Sequence, residues 1–135
     1  MLGEQIYEAK GKLNGVRIVD VEGPEGAKME TSYTIQGTIK GIEVTEMGTF
    51  TSVRRSENVE YGEDRSCLMA TGGSTAAMLS RGIGHPNGSN KMSYRGFAIV
   101  GQSNTGKLAF LNNLVIAFEA EVDGDNLSVK GWEWK

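Results

Sequence analysis

The stretch "KMETSYTIQGTIKG", residues 28–41, alternates without a break. Met29, Thr31, Tyr33, Ile35, Gly37 and Ile39 share one face, and Lys28, Glu30, Ser32, Thr34, Gln36, Thr38 and Lys40 share the other. A period of two with a polar opposite face describes a strand with one side buried. Such a strand needs a sheet around it, and the pattern recurs along the chain. "IEVTEMGTF" puts Ile42, Val44, Glu46, Gly48 and Phe50 on one face, with Gly48 a candidate bulge. "KMSYRGFAIVG" groups Met92, Tyr94, Ala98 and Val100, and "LVIAFEAEV" sets Ile116, Phe118, Ala120 and Val122 against Glu119 and Glu121. Residues 4–12, running toward "GVRIVDVEG", read as a first strand. "RSCLMATGG", "STAAMLSRGIG" and "LSVKGWEWK" read as three more.

The 19 glycines matter because they supply tight turns between these runs. "PEGA" at 24–27, "HPNG" at 85–88 and "DGDN" at 123–126 are turn signals. Only Lys107–Leu114 leaves room for a helical turn. Eight or nine strands joined by short turns imply one all-β domain spanning residues 1–135. Successive strands favour an antiparallel up-and-down meander, and closure into a barrel removes its exposed edges.

Charge excludes several classes. The net charge is −3, and Arg54-Arg55, the one adjacent basic pair, is followed by Glu57. That is a solvated surface pair and no footprint for nucleic acid. No apolar run reaches membrane-spanning length. The lone Cys67 forbids an intrachain disulfide and fits a reducing compartment. The N-terminus "MLGEQIYEAKGK" lacks the pattern of a secretory signal, so a cytoplasmic protein is expected. His85, the only histidine, sits beside Pro86 in a turn and far from Cys67, so neither a metal site nor a cofactor is expected. Trp132 and Trp134 share a face of the last strand, where they cover a barrel end or a subunit interface, or fill core.

Gly101 to Lys107 spells G-x-x-x-x-G-K, the outline of a phosphate-binding loop. The position that should hold a Mg²⁺-binding Ser or Thr is Leu108, and a strand pattern follows in place of a helix. A nucleotide-binding loop at 101–107 is therefore a remote alternative. The same region, from Asn104 to Lys135, resembles the C-terminal portion of the dirigent-protein and allene-oxide-cyclase barrels. The resemblance rests on the turn Thr105-Gly106-Lys107-Leu108, the long strand after it and the hairpin Asp123-Gly124-Asp125-Asn126. It implies a calycin-like, eight-stranded antiparallel barrel with a central cavity, in a homo-oligomer that is often a trimer. It also implies a superfamily that includes cofactor-free cyclases.

In a barrel, the face shared with large apolar residues points inward. Glu46 on the Ile42/Val44/Phe50 face is then a candidate acid or base, because an apolar cavity raises a carboxyl pKa. Tyr33, Tyr94, Phe50 and Phe118 are candidate ligand contacts. Arg81 joins them if it shares the face of Ala77, Leu79 and Ile83. The opposite parity, with Ala76, Met78, Ser80 and Gly82 inward, is equally good. The expected function is binding of a small apolar or amphipathic molecule in the cavity, with a cofactor-free cyclase or isomerase as the alternative.

Overall fold

The computed structural model describes residues 1–24, 26–102 and 104–135. Glu25, in the expected turn at 24–27, and Ser103, in the loop after Gly101, lie outside the described residues.

The strands are β1 (Leu2–Asp20), β2 (Lys28–Ile39), β3 (Ile42–Ser56), β4 (Val59–Ala70), β5 (Thr75–Pro86), β6 (Lys91–Val100), β7 (Val115–Asp123) and β8 (Asn126–Trp134). Each pairs antiparallel with the next, and β1 pairs with β8 to close an eight-stranded barrel. This is the architecture that the alternation requires, since closure leaves no unpaired edge around the staves.

Local chemistry sets the corners. Ile39 pairs with Ile42 across a two-residue loop in which Lys40 (φ 46°) and Gly41 (φ 81°) both lie in the left-handed region. That geometry matches strand twist and favours glycine. β1 outruns β8: its pairing with β8 ends at Lys12, whereas its pairing with β2 runs on to Asp20. A two-stranded ribbon with exposed Val16 and Ile18 therefore projects past the barrel.

The barrel's two ends differ. Between β6 and β7, Gly106–Leu111 forms a 3₁₀ helix. Side chains three apart eclipse in a 3₁₀ helix, so Leu108 and Leu111 share one face, and both are fully buried. They plug the end that also holds the β2–β3 and β4–β5 turns. Asn104 anchors the plug: its Oδ1 accepts from the Ala77 amide at 3.0 Å and its Nδ2 donates to the Gly101 carbonyl at 2.9 Å. The Lys107 amide donates to Ser74 Oγ at 3.0 Å.

These contacts decide the phosphate-loop alternative. The amide that would face a phosphate is tied to Ser74, the Lys107 side chain is exposed, and a short 3₁₀ helix follows inside an antiparallel barrel. The Gly106–Leu111 helix is a stopper. The tryptophans also need correction as core. They alternate out of phase with the inward Leu127 and Gly131, and Trp134 is exposed.

Candidate functional site

Inside the barrel, the inward faces of the strands enclose a cavity of about 100 Å³. Ile39, Leu68, Met78, Ala98 and Ile116 line its deep part and are buried. Phe50, Gly62, Tyr94, Phe118, Val122 and Val129 also line it and are half-buried. Exposure thus rises away from the plug, which places the mouth at the end of the β3–β4, β5–β6 and β7–β8 turns. Tyr33, Phe50 and Tyr94 form an aromatic wall, with ring centroids 6.2 Å apart for Tyr33–Phe50 and 6.3 Å for Phe50–Tyr94.

Four polar side chains from four adjacent strands meet against this wall. Glu46 of β3 is 4% exposed. Tyr7 of β1 donates its hydroxyl to Glu46 Oε1 at 2.6 Å, and the Tyr33 hydroxyl of β2 lies 2.9 Å from Glu46 Oε2. The same Tyr33 oxygen lies 2.8 Å from Asp64 Oδ2 of β4. Cross-strand register makes the meeting possible. Glu46 pairs with Ile35 on one side and Leu68 on the other, which keeps β2, β3 and β4 inward residues in step.

A count of protons follows. Tyr33 has one hydroxyl proton and two carboxyl oxygens within 2.9 Å. It can donate to only one of them. If both carboxyls were ionised, the second contact would be an oxygen facing an oxygen with no hydrogen between. One more proton completes the set, with Tyr33 donating to Glu46 and a protonated Asp64 donating to Tyr33. The electrostatics agree. Burial first, and then the charge of Glu46, push the Asp64 carboxyl up to about 7, against a weaker pull from Tyr33 and Arg65. Burial and then Glu46 also hold the Tyr7 and Tyr33 phenols above their ordinary range. Asp64 Oδ1 is sealed from water and has no hydrogen-bond partner among the described residues.

The expected site residues can now be placed. Glu46, Tyr33, Phe50, Tyr94 and Phe118 all point inward and line the cavity. Arg81 is corrected. Its side chain is 62% exposed and lies 3.9 Å from Glu63 on the outer surface. Ala76, Met78, Ser80 and Gly82 take the inward face of β5. Tyr7 and Asp64 went unrecognised in the sequence. Gly48 is no bulge, because β2 and β3 pair through it without a shift. A Cβ at that position would press into the Tyr33 ring. Gly48→Ala should therefore displace Tyr33 from both carboxyls and destabilise the fold by about 1–3 kcal/mol. Urea unfolding of the variant beside the unchanged protein checks this, and equal midpoints would contradict it.

Three solved structures share the architecture. A protein of unknown function from Clostridium acetobutylicum ATCC 824 superposes with a TM-score of 0.77 at 12% identity, over 98% of both chains. A conserved protein of unknown function from Rhodopseudomonas palustris gives 0.79 at 11% identity, over 98% of this chain and 97% of that one. A β-barrel-like protein from Acinetobacter baumannii AYE gives 0.78 at 15% identity, over 100% and 96%. These likenesses establish the barrel, and none of the three carries a dirigent or allene-oxide-cyclase name. No family model and no curated protein matches the chain. Among the described residues, no helix is long and apolar enough to cross a membrane.

Proposed function

We propose that the barrel binds a small amphipathic molecule in its central cavity. The observation that carries this reading is the cavity itself, apolar over most of its wall and bordered on one side by the Glu46 and Asp64 carboxyls. A ligand's polar end would meet that side, while Phe50, Tyr94 and Phe118 cover its apolar part.

Filling the cavity tests the reading. Ala120, buried and inward on β7, borders the space. A panel of small amphipathic fragments should shift the NMR signals of Phe50, Tyr94 and Phe118. Ala120→Leu should abolish those shifts while the rest of the spectrum stays folded. If no fragment at millimolar concentration moves these signals, the binding reading is wrong.

A second reading, acid–base catalysis in the manner of a cofactor-free isomerase, draws on the Asp64 carboxyl at about 7. A group with that pKa can give and take a proton at neutral pH. Both oxygens of Glu46 are already engaged by phenols, so the free oxygen belongs to Asp64. In this reading Asp64 exchanges the proton with substrate and Glu46 positions Tyr33. Asp64→Asn would then stop turnover with binding retained.

A further inference from the structure

We infer that the molecule the cavity is built for carries a positive charge: a compact organic cation of the ammonium class, held between the Asp64 and Glu46 carboxyls and the Tyr33–Phe50–Tyr94 wall. This deepens the proposed binding function and rests on it.

The first support is the distribution of charge. The chain has 14 Lys and Arg residues, and every one is exposed. The interior holds Glu46 and Asp64, both on the cavity wall, with no inward cation beside them among the described residues. A third carboxyl, Glu60 of β4, has the same inward parity nearer the mouth, where Arg54 lies opposite it in register. Buried acids are normally matched by a basic side chain or hydrogen-bonded throughout. Here two phenols hold Glu46, one phenol reaches Asp64 Oδ2, and Asp64 Oδ1 has nothing.

The second support is the wall. Aromatic faces are electron-rich and attract cations, most strongly where water is excluded. Three rings in sequence, beside an unmatched carboxyl, make a surface complementary to an alkylammonium group. An anionic ligand would meet the Glu46 and Asp64 acids in the cavity, with Arg54 only at the mouth, where it faces Glu60.

Binding of a cation is coupled to the proton already in the site. The groups facing Asp64 are Glu46 from β3, Tyr33 from β2 and Ser80 across the β4–β5 pair. Tyr7 reaches it through Glu46, and Arg65, its chain neighbour, is exposed. A bound cation favours the carboxylate form of Asp64 and expels its proton, so affinity rises with pH.

Three ligands of one shape separate the possibilities: choline (positive), 3,3-dimethylbutan-1-ol (neutral) and 3,3-dimethylbutanoate (negative). Calorimetric titrations at pH 8 should show choline binding at least about tenfold tighter than the alcohol, and no binding of the acid. Lowering the pH to 6 should weaken choline by about tenfold, following the ionised fraction of a group with a pKa near 7, and leave the alcohol unchanged. Asp64→Asn should erase the preference for choline and its pH dependence while the alcohol still binds. Phe50→Leu should weaken choline more than the alcohol, which tests the wall without touching the acids. If the alcohol binds as well as choline, the cation inference is overturned and the cavity reading stands. If none of the three binds, the cation inference is overturned, and the fragment panel decides the cavity reading separately.

Discussion

Asp64→Asn should be more stable than the unchanged protein at pH 8 by about 2–3 kcal/mol, and equal to it near pH 4. An unfolded aspartate titrates near 3.8, whereas Asp64 in the barrel is pushed up to about 7. Between those values the folded state holds a proton that the unfolded chain has released, so stability falls as pH rises through the window. Below pH 4 both states are protonated and nothing is lost. Above pH 7 the whole penalty is present. At about 1.4 kcal/mol per unit the window spans about 4 kcal/mol, which access of solvent from the mouth trims toward the lower figure. Asparagine has no charge to bury, and its amide can donate to Tyr33 as the protonated acid does. Urea unfolding at a series of pH values measures both curves. A variant that is no more stable at pH 8, or one that keeps the original slope, would mean that Asp64 ionises freely.

The second large effect lies at the opposite end. Leu108→Ala should lower the unfolding free energy by about 3 kcal/mol or more, the range for a fully buried leucine in a site that cannot collapse. The site is rigid on every side. The 3₁₀ helix is short, its start is tied to Ser74, and Asn104 bonds to Ala77 and Gly101. Replacing the exposed Lys107 by alanine should change stability by less than about 0.5 kcal/mol. That contrast separates a stopper from a phosphate loop, in which lysine would be the residue that matters. Comparable losses from the two variants would overturn the assignment.

The barrel was readable because most strands state their own parity. β2, β3, β6 and β7 alternate over their whole visible length, and that put Tyr33, Glu46, Phe50, Tyr94 and Phe118 on the correct side. β5 does not declare itself. Both of its faces are small or apolar, and Leu79, 61% exposed, imitates a core residue and pulled Arg81 inward with it. Asp64 was hidden for a different reason. "VEYGED" looks like a polar connection, and it becomes strand only because β3 and β5 pair with it on both sides. Extending the inward parity of Leu68 and Ser66 back by two residues reaches Asp64, but nothing local justifies the extension. Tyr7 sat in a recognised strand whose faces were not assigned, although Glu8, Lys10 and Lys12 mark its outer side. The cluster as such is invisible in one dimension. Tyr7, Tyr33, Glu46 and Asp64 belong to four strands, and only the register between them makes the 2.6–2.9 Å contacts.

The leucine stopper has a practical corollary. With one end of the barrel corked, the chamber is a cul-de-sac, and under the cation-binding proposal a guest must back out the way it came in. A molecule that enters charge-first leaves its tail at the doorway, so a dye, a resin linker or a longer chain can be attached at the tail without blocking entry. The same attachment at the head would bar the guest outright. Affinity reagents for this barrel should therefore be built from the tail end.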